Sequence, residues 1–155
     1  MSTEIIVFTD GSFIKSKNNK DDLCGYGIHF PNGEFEDQSK KFTKTPLTNQ
    51  RAELYAIYKA IKIITNSNKD INIKIYTDSE YSIKSLTIWI NNWKQNNWIS
   101  STGKPVMNQD IIKKIDNLII EHNGNIKFQH VRSHTGNKDY ESIHNDIVDK
   151  LARQK

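Results

Sequence analysis

Ile5-Ile6-Val7-Phe8-Thr9-Asp10-Gly11-Ser12 decides the fold of this chain. Four apolar residues in a row match a strand buried on both faces, not one with a wet side. The Asp10-Gly11-Ser12 that follows reads as the end of that strand. A second strand is expected from Gly25 to Phe30, and Pro31-Asn32-Gly33 turns into a third that ends near Phe42, Asn-Gly being a strong hairpin signal. Leu54, Ile57, Tyr58, Ile61 and Ile64 then fall at helical spacing on one stripe. Ile71, Ile73 and Ile75 alternate with polar neighbours as a strand that stops at Thr77-Asp78-Ser79. A helical stretch leads into the segment from Trp89 to Asn108. Ile111, Ile112, Ile115, Leu118 and Ile119 make another amphipathic helix, with Gly124 beyond its end as a stop. Ile126 to Val131 is a last strand, and Ile147, Val148, Leu151 and Ala152 mark a C-terminal helix. The order β-β-β-α-β-α-α-β-α predicts an α/β chain, one mixed sheet with helices packed on it.

The chain has 155 residues, the size of one domain that buries a core without covalent staples. Cys24 is its only cysteine, which excludes an internal disulfide and a clustered thiolate zinc site. The start, Met1-Ser2-Thr3-Glu4, has no basic region followed by a long apolar run, and no stretch approaches the ~20 apolar residues of a membrane span. A soluble cytoplasmic or otherwise intracellular protein without a signal peptide is expected, a monomer with no obligate protein partner. The net charge of +4 permits an anionic partner and is weak evidence for one. From Tyr81 to Gln109 there is no acidic residue, while Lys84, Lys94 and Lys104 are present.

Four carboxylates stand where this architecture can bring them together. Asp10 and Asp78 end strands, Glu53 opens the first helix at the edge of its stripe, and Asp149 lies between Val148 and Leu151 in the last helix. Strand ends and helix starts meet at one rim of such a sheet. Each residue alone has an ordinary reading as a turn-former or as a favourable charge at a helix N-terminus. Together they would repel one another unless cations intervene. Mg2+ prefers carboxylate and phosphate oxygens, and two ions about 3.5–4 Å apart can serve the attacking and the leaving oxygen of a phosphodiester.

Thr9-Asp10-Gly11-Ser12, Thr48-Asn49-Gln50-Arg51-Ala52-Glu53-Leu54, Tyr76-Thr77-Asp78-Ser79 and Asn145-Asp146-Ile147-Val148-Asp149-Lys150-Leu151-Ala152 resemble, in order, the four carboxylate motifs of type 1 ribonuclease H. His134-Thr135-Gly136 resembles the histidine loop of that family. The resemblance runs over essentially the whole chain. It implies a five-stranded mixed sheet flanked by helices, antiparallel over the first three strands and parallel in the later ones, forming a single catalytic domain over 1–155. It implies endonucleolytic hydrolysis of the RNA strand of RNA/DNA hybrids, leaving 5′-phosphate and 3′-hydroxyl ends. Asp10, Glu53, Asp78 and Asp149 would be the ligands of two Mg2+ ions, with Mn2+ as a substitute, and His134 would assist proton transfer or product release. The segment Asn137-Lys138-Asp139-Tyr140-Glu141-Ser142, between His134 and Asp149, is longer than in compact bacterial members. His29, His122, His130 and His144 are read as ordinary exposed loop histidines.

The same resemblance assigns the substrate contacts. Gly11 and Ser12, in the first motif, would bind the substrate. Asn49 and Gln50 would meet the minor groove, where a side-chain amide can donate to and accept from a 2′-hydroxyl; Thr48 and Asn49 are equally N-cap candidates. Trp89 and Trp93, at i and i+4 on one face, with Lys94, would form the handle that meets the DNA strand. Thr48, Arg51 and Asn108 would lie near a DNA phosphate. A core role for the tryptophans competes with this, and Lys94-Gln95-Asn96-Asn97 carries fewer cations than well-known handles. Two rivals remain at this level: a nuclease of the same broad fold acting on DNA, and a hybrid-binding module without catalysis.

Overall fold

The computed structural model describes residues 3–16, 22–133 and 135–154. Five strands form one sheet in the order β3-β2-β1-β4-β5: β1 (Glu4–Ile14), β2 (Leu23–His29), β3 (Gln38–Lys41), β4 (Asn72–Thr77) and β5 (Ile126–His130). β1 pairs antiparallel with β2, and β2 with β3. β1 pairs parallel with β4, and β4 with β5. This is the expected mixed sheet. Gly33, at φ +76°, closes the turn after β2 by donating to Phe30 O at 3.0 Å.

One expectation fails. Asp10-Gly11-Ser12 does not end β1, which runs on to Ile14. The residues Asp10 to Ile14 find a complete antiparallel partner in Gly27 to Leu23, and a ready ladder outweighs turn-forming preference.

Helix α1 (Asn49–Ser67) covers one face of the sheet. Its Leu54, Ile57, Ile61 and Ile64 are wholly buried with Val7, Ile28, Ile73 and Ile75 in the main core, each such side chain contributing roughly 1.5–3 kcal/mol by leaving water. Helix α5 (Tyr140–Arg153) covers the other face, where Val148 packs with Phe8, Tyr76 and Val131. Ile147, expected inside, is 36% exposed. Between β4 and β5 the chain forms α2 (Glu80–Lys84), a π-helical turn (Ser85–Trp89), α3 (Ile90–Gln95) and α4 (Gln109–Glu121). The single helical stretch expected before Trp89 thus contains a widened turn. No helix is long and apolar enough to cross a membrane among the described residues.

Candidate active site

The parallel ladder between β1 and β4 fixes the first two carboxylates. It ends at Phe8 opposite Tyr76. Two residues further along each chain stand Asp10 and Asp78, so the register carries both to one level. β4 stops at Thr77 while β1 continues, leaving a notch beside β1. Asp10 is buried there and Asp78 half-buried.

Two glycines let helices reach this notch from opposite faces. A Cβ on Gly11 would lie on the Ala52–Glu53 backbone, and one on Gly27, the partner of Asp10, would strike Val148 O at 2.7 Å. Without side chains there, α1 and α5 approach the sheet closely enough to deliver Glu53 and Asp149. The Gly11 N–H donates to Asp10 Oδ1 at 2.9 Å and to Glu53 Oε1.

The outcome is a cluster in which oxygen atoms of Asp10, Glu53 and Asp78 lie within 4.8 Å of one another. Asp149 stands beside Asp10 and is held by Arg153, one turn further on α5, at 3.1 Å. Burial pushes Asp10 up to about 8; the hydrogen bond with Glu53 opposes this, while the neighbouring Asp78 and Asp149 add to it. Glu53 is also raised well above the carboxylate range, by burial first and then by the Asp10 charge. Carboxyls this reluctant to ionise are what a cation site looks like when only protein charges are counted. The donor set is all oxygen, which suits hard divalent cations and not soft ones.

Around the cluster, the expected substrate residues have distinct fates. Thr48 caps α1, accepting from Arg51 N at 3.0 Å. Asn49 Oδ1 accepts from Phe13 N at 2.7 Å, which anchors α1 to β1, and Gln50 is exposed beside it. Ser12 is half-buried on β1, opposite Gly25. Arg51 is only 4% exposed and is committed within the chain. It makes a two-pronged contact with Asp110 at 2.9 Å on each oxygen and donates to Lys44 O, Thr45 O and Asn108 Oδ1. Asn108, at φ +64°, donates to the Tyr81 hydroxyl at 2.8 Å.

Trp89, Trp93 and Trp98 form a row of rings, neighbouring centroids 6.0 and 6.1 Å apart. Trp89 is 38% exposed, whereas Trp93 and Trp98 lean on the main core. A groove lined by Trp89, Asn92, Trp93 and Asn96 opens here. Lys94 is held by Asp116 at 2.7 Å.

His134 lies outside the described residues. The reading of the other histidines as exposed loop residues is corrected for all four, since His130 is half-buried on β5 and His144 half-buried on α5. His29, on β2, is buried and bridges Asp37 at 2.7 Å to His144 at 2.8 Å. His122 is buried at the end of α4, with Nε2 2.6 Å from Ile71 O. The reading of the sequence also missed Arg153, Asp110 and Asp116. Arg153 was detectable by its i, i+4 spacing from Asp149; the other two pair with residues far along the chain.

The chain matches the family model described as RNase H over residues 2–155. It belongs to the RNase H family. As a member it is a nuclease, a hydrolase with a metal requirement that its acidic cluster can meet. A "Probable ribonuclease H" of Acanthamoeba polyphaga mimivirus is 47% identical over 131 residues, covering 83% of this chain and 56% of that protein. The chain thus spans little more than half of that relative. "Ribonuclease HI" of Pasteurella multocida (strain Pm70) is 36% identical over 154 residues, with 99% of this chain and 90% of that protein covered. Among solved structures, the RNase H domain of PFV (prototype foamy virus) superposes with a TM-score of 0.79 at 27% identity, covering 99% of this chain and 94% of that one.

Proposed function

We propose that the chain is one catalytic domain that hydrolyses the RNA strand of RNA/DNA hybrids endonucleolytically, leaving 5′-phosphate and 3′-hydroxyl ends. The observation that carries this reading is the meeting of Asp10, Glu53 and Asp78, with Asp149 alongside, at a notch whose rim bears Asn49 and Gln50.

Asp10, Glu53, Asp78 and Asp149 would hold two Mg2+ ions, or Mn2+ in their place. When bound, the ions lower the pKa of the attacking water and offset charge on the leaving oxygen. The protein supplies the rest. Gly11 N–H fixes Asp10 and Glu53 in place, and Arg153 orients Asp149. The exposed Gln50 amide is free to test for a 2′-hydroxyl, and the Asn49 side chain keeps its N–H2 donors while its oxygen is taken by Phe13 N. Trp89 offers a flat face to deoxyribose across the groove. Arg51 acts as a strut between α1 and α4, its charge balanced by Asp110. His134 serves to carry a proton or to ease product departure.

One gel assay tests the proposal: an end-labelled hybrid and the matched duplex DNA, each with and without Mg2+. Cleavage of the hybrid's RNA strand alone, with Mg2+ alone, is the expected result. Cutting of duplex DNA would favour the DNA-nuclease reading, and binding without cutting the non-catalytic one.

A further inference from the structure

Several lysines that face no carboxylate stand where α1 and α4 run together. Within α1 the only acidic residue is Glu53, which is turned into the cluster, while Lys59 and Lys62 are on the helix. In α4, Asp110 and Asp116 are taken by Arg51 and Lys94, and Lys113 and Lys114 are left over. The two helices run side by side in the same direction: Arg51 meets Asp110 at their starts, and Thr65 and Asn66 line a hollow with Leu118 and His122 at their ends.

Aromatic rings organise these lysines. Lys62 Nζ and Lys114 Nζ lie 5.6 and 5.9 Å from the centre of the same Tyr58 ring. Lys113 Nζ lies 5.0 Å from the Trp98 ring, which itself touches Trp93. Lys62 also donates to the Tyr58 hydroxyl at 3.4 Å, and none of these contacts cancels the charge of its ammonium. Among the described residues, none of Lys62, Lys113 and Lys114 has a carboxylate within ion-pair distance. In the handle Lys94 is paired with Asp116, while Lys104 has no carboxylate within ion-pair distance among the described residues.

We propose that Lys62, Lys113 and Lys114, presented on Tyr58 and Trp98, form a second electrostatic contact that grips the phosphodiester backbone of the hybrid beyond the active site. The proposal rests on the hybrid-nuclease reading above. Continuity argues for this occupant: the patch joins the tryptophan row on one side and the α1 start, with Asn49 and Gln50, on the other. Tyr58 lies ~13 Å down α1 from Asn49 at 1.5 Å per residue, or about 4 base pairs at 3.4 Å each. A hybrid laid along α1 reaches the lysines only where it extends more than about 4 base pairs on that side of the active site, which one of about 8 base pairs centred there does not.

The test compares wild type with the triple variant Lys62→Gln, Lys113→Gln, Lys114→Gln, all three side chains being exposed. Dissociation constants are read by fluorescence anisotropy in EDTA, and KM and kcat with Mg2+, on hybrids of about 20 and about 8 base pairs across a salt series. At ~0.9 per lost phosphate contact, the slope of log Kd against log salt should flatten by about 2–3 on the long hybrid, with Kd and KM about 10-fold higher at low salt and kcat kept. The short hybrid and the single change Lys127→Gln, on β5, should show no effect. An unchanged slope on the long hybrid overturns the proposal and leaves an acidic protein as the patch's partner. An equal loss on both lengths also overturns it, because the effect then acts through the active site. A wild-type protein that binds the hybrid but never cuts it would defeat the functional reading, while the EDTA measurements still decide this one.

Discussion

Replacing Asp10 by Asn should abolish cleavage and yet make the metal-free protein more stable. Asp10 ionises at about 8 in the folded chain against 3.8 for an ordinary aspartate. A carboxyl whose folded pKa is raised contributes its full stability below the unfolded value and loses it as pH climbs through the folded one. At 1.36 kcal/mol per pH unit, the loss across that window approaches ~6 kcal/mol. Part of it is repulsion shared with Glu53, Asp78 and Asp149, whose charges remain in the variant and relax, so about 2–4 kcal/mol should return. The asparagine oxygen can still accept from Gly11 N–H, so shape and bonding are kept. For a chain of this length each kcal/mol moves Tm by about 2–4 °C, giving a rise of roughly 5–15 °C in EDTA at pH 8–9. The gain should shrink steadily towards pH 4 and vanish below it. Melting curves by circular dichroism at four or five pH values read it directly. A gain that is the same at every pH, or a lower Tm at pH 9, would refute the argument.

Asp78→Asn should also abolish turnover with the fold intact; near wild-type rates at saturating Mg2+ would remove Asp78 from the ligand set. His134→Ala should slow turnover without ending it, nearer the low end of the ~10²–10⁴-fold typical of acid–base help; a rate unchanged from pH 6 to 9 would discard its role. Trp89→Ala should raise KM with Tm almost unmoved, because that ring is exposed. Trp93→Ala should raise KM and lower Tm together, by about 1–2 kcal/mol, less than the 3–5 kcal/mol typical of a fully buried aromatic; steady-state kinetics beside melting curves separate the two.

Periodicity was enough to find the sheet and its helices. Strands and helices bury stripes at fixed spacing, and Ile71-Ile73-Ile75 or Leu54-Ile57-Ile61 carry that spacing in the sequence. The carboxylates were legible through motifs, although only Glu53 and Asp78 sit where the chain changes element, Asp10 lying within β1 and Asp149 within α5. Other features depend on partners that no local window contains. β1 outlasts Asp10-Gly11-Ser12 because β2 supplies its ladder. Gly11 looked like a residue facing substrate, yet its missing side chain is what lets α1 carry Glu53 to Asp10, a contact set by two backbones 42 positions apart. Lys94 and Arg51 looked like cations reaching for phosphate, and only the fold reveals the aspartates that hold them. The widened turn over Ser85–Trp89 has no compositional mark at all.

Those two aspartates have a consequence for how the molecule responds to its solution. Asp110 fastens the start of α4 to α1, and Asp116 fastens the middle of α4 to α3, so α4 acts as a clasp between the carboxylate platform and the tryptophan row. The same salt that screens the enzyme from a nucleic acid also works on the clasp where its pairs meet solvent, at Asp110, 62% exposed, and at Lys94, 42% exposed. Raising the ionic strength is therefore expected to loosen α3 from α4 as well as to weaken the grip. The internal part is present with no substrate in the tube, as faster amide exchange in α3 with α4 unchanged.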